Sequence, residues 1–286
     1  MKPFITSSII LILFSCSQSP KNDENKILGF NPPVDSLIHL TAVTNESAEW
    51  LGKVNNNSKT LEFSIRCIKK DDSGSVIRLV FEKIELTMDD SKMVTEKIPA
   101  TPMMDGYLLF RDSLLRQAEG KSLLITCNKK AQVLKVDGFN QIVDRVTDSM
   151  KTERLTINGI LRDVIGSKQT TDLIHQSFFF LSGRNIKTGD NWVSNITLIA
   201  KAPVKYSNMV TVKDIKGDSV FLDIKTVVSA KTGEEGMVYA QGEQDGSATV
   251  SLSTGIPYLI SLHGVTVTKT DNYDITQKRE FSIKRK

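Results

Sequence analysis

No apolar run in the body of this chain is long enough to cross a bilayer as a helix. After the first sixteen residues the longest is the handful around Phe178, Phe179 and Phe180, against the ~20 residues that a spanning helix needs. Cysteine is scarce, three in 286 residues. No Cys-x-x-Cys pair occurs, so nothing lowers a thiol pKa for catalysis. His39, His175 and His263 are dispersed, and His-Glu-x-x-His, Gly-x-Ser-x-Gly and clustered carboxylates are all missing, so neither a metal site nor a cofactor site is expected. Charge of one sign is lacking too: 37 Lys and Arg against 33 Asp and Glu leave a net +4. With a pI near 8.8, that excess is too mild and too dispersed for a nucleic-acid partner.

What is present begins at the N-terminus. Lys2 supplies a positive start, and residues 9–14, IILILF, form an apolar segment of the length found in export signals. Leu13-Phe14-Ser15-Cys16 resembles a lipobox, with a small residue before the cysteine, so residues 1–16 are expected to end at a lipidated Cys16. A plain secretory signal with an incidental cysteine is the alternative. Two or more acyl chains hold a protein on a membrane stably, at ~0.8 kcal/mol per buried methylene. By resemblance to Gram-negative lipoproteins, Ser17 after that cysteine implies the outer membrane, facing the periplasm. Residues 17–30 read as a flexible polar tether.

Residues 31–286 are expected to form a single β-rich domain. Period-two alternation marks a β block over 36–137, helical spacing a centre over 138–182, and alternation returns over 190–285. Asn55 to Ser58 and Asp71 to Gly74 read as turns. Pro99 and Pro102 break the pattern, and residues 110–118 can form a short helix. The fold class that follows is α+β: a long, curved, half-barrel-like antiparallel sheet packed on two or three central helices. Cys67 and Cys127 lie in strand-like segments and are either a possible disulfide, as an oxidising compartment permits, or two buried thiols.

Gly120-Lys121-Ser122-Leu123-Leu124-Ile125, Gln132 to Gly138, Ile186 to Trp192 and Gly246 to Val250 with Ser253-Thr254-Gly255-Ile256 carry a family resemblance. They resemble an uncharacterised family of Gram-negative cell-envelope lipoproteins of unknown function, over most of the chain from about residue 59. No catalytic residue comes with it. At fold level the layout is similar to the half-barrel envelope proteins that carry lipids or lipoproteins.

Gly189 is expected to accept a positive φ and Asp190 to bond the local backbone, launching a strand in which Trp192 covers the sheet edge or stacks on a ligand. Trp50 can cap a hairpin or line a groove mouth. Phe178, Phe179 and Phe180 cannot all face one way on a helix, so they are either core on both sides or a groove wall or partner patch. Gly217-Asp218-Ser219 with Asp172 and His175 resembles an esterase pattern, but in reversed order, and the Gly-Asp pair reads as a hairpin turn. The basic end, Lys278, Arg279, Lys284, Arg285 and Lys286, is either a contact for anionic headgroups or a solvated strand end. No enzyme is expected. The two readings that remain are a carrier holding a hydrophobic small molecule between sheet and helices, and a scaffold for another envelope protein.

Overall fold

The computed structural model describes residues 26–89, 102–199, 203–231, 239–269 and 274–286. Cys16, the export segment and most of the tether lie outside the described residues. The first meander is β1 (Leu37–Trp50), β2 (Lys53–Lys70), β3 (Gly74–Asp89), then helix α1 (Pro102–Ala118), β4 (Ser122–Asn128) and β5 (Val133–Asp137). Three helices follow, α2 (Phe139–Met150), α3 (Arg154–Ile165) and α4 (Ser167–Phe178). The second meander is β6 (Asn191–Ile199), β7 (Pro203–Lys216), β8 (Ser219–Lys231), β9 (Tyr239–Ser251), β10 (Pro257–Lys269) and β11 (Asp274–Arg285).

All eleven strands join one open sheet in the order β5-β4-β3-β2-β1-β11-β10-β9-β8-β7-β6. The first strand pairs with the last at its middle, antiparallel, so the ends of the two meanders become the sheet's edges. This overturns the α+β expectation: the chain is largely β, a single curved sheet with a minority of short helices. The physical reason is strand length. Asn55 to Ser58 is not a turn but lies near the start of an 18-residue strand, paired on one side with β1 and, from Asn56 onward, on the other with β3, so its backbone bonds are largely met despite its polarity. The hairpin turn lies earlier, at Leu51 and Gly52. Pro102 opens α1 rather than breaking it, because the first helical turn needs no amide hydrogen there.

Helix α4 packs on both edge strands, β5 and β6, and on β10 near the sheet's middle. One helix can reach all three only if the sheet curls around it. Arg279 on β11 and Tyr206 on β7 make the same point, since four strand spacings of ~4.8 Å separate them on a flat sheet. Their side chains nevertheless hydrogen-bond at 3.0 Å. The bend runs through glycine: a Cβ at Gly246 on β9 would lie 2.0 Å from the Ser261 carbonyl oxygen of β10.

Residues 26–31 thread between these parts. Leu28 and Ile186 donate to backbone carbonyls of Arg184 and Lys26, and Phe30 and Asn31 donate to those of Lys129 and Thr254. Leu28 and Phe30 are in the core, so the packed body starts before residue 30, where the tether had been expected to end. Leu28 and Phe30 are the cause: they are apolar enough to be buried once the sheet's edges leave a gap for them.

Candidate functional site

Strand alternation fixes which residues face the concave side, and one register row there departs from the apolar pattern. Pairing aligns Asn57, Glu46, Arg279, Gly264, Gln244, Thr226, Asn208 and Ser194 across eight successive strands. Asn208, Thr226 and Gln244 are buried. The Thr226 hydroxyl donates to Asn208 Oδ1 at 2.7 Å, and Asn208 Nδ2 donates to the Ser194 carbonyl at 3.0 Å. This polar belt divides the concave face. The main core lies on one side of it, and Leu198, Val228, Ala230 and Ala240, buried but outside that core, lie on the other.

Above the belt, between the sheet and the rim formed by α3 and α4, opens a groove of about 760 Å³. Its walls are apolar at Leu61, Leu173, Leu198, Val204 and Phe281, and charged at Glu46, Lys59, Asp172 and Arg279. Arg279 spans it: its Nη2 donates to Gln176 Oε1 at 2.6 Å, its Nη1 to the Tyr206 hydroxyl, and its Nε lies 3.3 Å from Glu46 Oε1. That last pair is close enough to attract but not aligned to hydrogen-bond, which leaves Nε–H buried without an acceptor. Asn57 Oδ1 and Gln169 Oε1, on the same groove, are buried without partners as well. Such atoms are uncommon in folded proteins, and three of them lie at this one cleft.

Lys59 is half-buried, and its ammonium donates to the Val164 carbonyl at 3.2 Å, in the last turn of α3 where a cation suits the helix dipole. Loss of hydration lowers its pKa from 10.5 to about 8, against the attraction of Glu46 and Asp172.

A second cavity, about 550 Å³, sits where the two edges approach one another, lined by Gln132, His175, Phe178, Arg184 and Trp192 among others. Burial depresses the His175 pKa, and its Nε2 accepts the Val133 backbone N–H at 3.3 Å. The ring therefore serves as an acceptor that ties α4 to edge strand β5. Trp192 lies on the opposite edge, β6, beneath the Arg184 guanidinium at 5.7 Å, with its Nε1 buried and unpaired. Gly189 has φ 89° and Asp190 accepts from the Lys187 amide, the geometry expected of that turn.

Phe178, Phe179 and Phe180 are all buried, so they are no surface patch for a partner. Phe178 meets Phe30 edge-on at 4.9 Å between ring centroids, Phe179 packs on Phe180, and Phe179 lines a narrow extension of the main groove. Trp50 stands at the tip of the β1–β2 hairpin, paired with Lys53 and away from both cavities. Cys67 and Cys127 are free buried thiols, not a disulfide. Cys67 on β2 pairs with Ile77 and Cys127 on β4 with Ser75, so the whole of β3 stands between them. Two strand spacings, ~9–10 Å, exceed what a disulfide can bridge. The esterase-like pattern is not assembled: the Asp218 carboxylate accepts from Ser251, Ser253 and Tyr258, stapling two hairpin turns, while His175 bonds β5. Among the described residues no group of three or more His, Cys, Asp or Glu can hold a metal. Arg279, read as part of a basic strand end, faces inward instead.

Residues 74–257 match a family of unknown function, DUF6263. The chain belongs to this family. The matched span holds α4, Tyr206 and the belt residues of β7 to β9, whereas Glu46, Lys59 and Arg279 lie outside it. No curated protein matches the chain. Among solved structures the chain is similar to one described as "Lipid-protein interactions in lipovitellin", with a TM-score of 0.50 and 8% sequence identity. The match covers 89% of this chain but 25% of that one, so the family member spans a quarter of the lipovitellin chain, and the likeness is one of fold.

Proposed function

We propose that this protein is a non-catalytic, lipid-anchored envelope protein that holds a hydrophobic ligand in the groove between its curved sheet and helices α3 and α4. The observation that carries the reading is the groove itself. Its volume of about 760 Å³ falls within the ~300–1,000 Å³ of small-molecule sites, and its lining sets apolar Leu61, Leu173, Leu198, Val204 and Phe281 beside seven charged side chains, an amphipathic surface. The fold shared with lipovitellin, whose structure is described in terms of lipid–protein interactions, supports a lipid-like ligand.

The anchor belongs to the same proposal. Acylated Cys16 holds the folded body near a membrane from which such a ligand is drawn, at the periplasmic face of the outer membrane. Solvent extraction of the full chain, purified from its own membranes and followed by lipid analysis, tests the first part. A co-purifying hydrophobic molecule is expected in near-stoichiometric amount, and an extract matching a blank preparation contradicts the reading. For the anchor, labelled palmitate should be incorporated by the wild type and not by Cys16→Ala. Equal labelling of the two contradicts it.

A further inference from the structure

Four cations, Lys59, Arg111, Lys168 and Arg279, line the main groove together with three carboxylates, Glu46, Asp163 and Asp172. Two of the cations are engaged. Arg111 holds Asp112 and the Leu86 carbonyl, and Arg279 faces Glu46. Lys59 differs: its hydrogen bond goes to the neutral Val164 carbonyl, and Glu46 and Asp172 act on it at longer range. An ammonium has three donors, so two remain for a ligand. The unpaired Arg279 Nε–H is a further donor on the same wall, whereas the unpaired oxygens of Asn57 and Gln169 are acceptors and offer an anion nothing.

We propose that the groove takes an amphiphile with a single anionic head group, seated against Lys59 and Arg279 with its tail along Leu61, Leu173, Leu198, Val204 and Phe281. The assignment rests on the ligand-binding reading above and names the class of ligand. Lys59 and Phe281 both pair with Thr44, so they share one register row with only β1 between them, and Leu61 follows Lys59 on the same face. Arg279 is two residues from Phe281 on the same face. Head-group donors and tail surface are thus contiguous. A charge-assisted hydrogen bond in such a half-dry site is stronger than a neutral one, so the head group sets the preference while the walls supply bulk affinity.

Calorimetric titration of the full chain at pH 7 with dodecanoate, methyl dodecanoate and acetate separates the contributions. Dodecanoate is expected to bind at least tenfold more tightly than its methyl ester, and acetate not measurably. Lys59→Met should cut the preference for dodecanoate over its ester several-fold, the remainder resting on Arg279. At pH 10 the wild-type preference should shrink, because the ammonium is lost from a wall it shares with Glu46, Asp172 and Arg279. Equal acid and ester affinities in the wild type, or a preference undiminished by Lys59→Met, overturn the head-group assignment and leave hydrophobic binding standing. Acetate binding as tight as dodecanoate overturns the amphiphile. Failure of both acid and ester to bind removes the ligand-binding reading as well.

Discussion

Replacing Lys59 with Met should make the ligand-free protein more stable while weakening its preference for an anionic ligand. The folded-state pKa is about 8 against 10.5 in the unfolded chain. At ~1.36 kcal/mol per pH unit, carrying the charge into the fold costs about 3 kcal/mol. Lys59 is only half-buried, and its hydrogen bond to the Val164 carbonyl is worth about 1 kcal/mol, so a net gain of about 1–2 kcal/mol is expected at pH 7. The sign with pH follows from the lowered pKa. Below pH 8 the lysine is charged in both states and the cost is fully present. Between pH 8 and 10.5 the folded protein releases a proton that the unfolded chain keeps, so wild-type stability rises relative to the variant. Urea unfolding of both proteins at pH 7, 9 and 11 measures this. The variant's advantage should fall toward zero or below by pH 11. A variant less stable than wild type at pH 7, or a difference that does not change with pH, would refute the argument.

Other perturbations probe separate parts of the molecule. Arg279→Leu removes the bridge from β11 to α4 and β7 and leaves Glu46 without its cation, so it should lower stability by about 1–3 kcal/mol in denaturant titration; an unchanged midpoint contradicts the bridge. Gly246→Ala puts a methyl group against the Ser261 carbonyl and should cost about 1–3 kcal/mol, whereas a neutral substitution would mean that the sheet is less tightly bent there. Cys67 and Cys127 should resist a thiol reagent until the protein unfolds, since both are buried and desolvation pushes the Cys127 thiol up to about 12. Two thiols titrating promptly in native protein, or none after unfolding without reductant, would contradict the structure.

The strands of the second meander were legible in the sequence because they alternate and because Gly217 and Gly255 mark the β7–β8 and β9–β10 turns. Helices α2 to α4 showed in the spacing of Ile142, Val146, Leu161 and Ile174. Two features were hidden for physical reasons. The pairing of β1 with β11 joins segments more than 200 residues apart, and nothing local encodes it. The belt could have been detected strand by strand, since Asn208, Thr226 and Gln244 each put a polar side chain on the apolar phase. Their meaning emerges only when the register brings them into one row. Lys59 was invisible for the same reason, sitting in a run of Asn and Ser that reads as a turn until two neighbouring strands pair with it.

Native mass spectrometry of the full chain, released gently from its own membrane, tests the central claim most directly. The account predicts a species heavier than the acylated polypeptide by the mass of one small amphiphile, which leaves on activation as an anion. A spectrum holding only the acylated polypeptide, unchanged after incubation with excess dodecanoate, would contradict it.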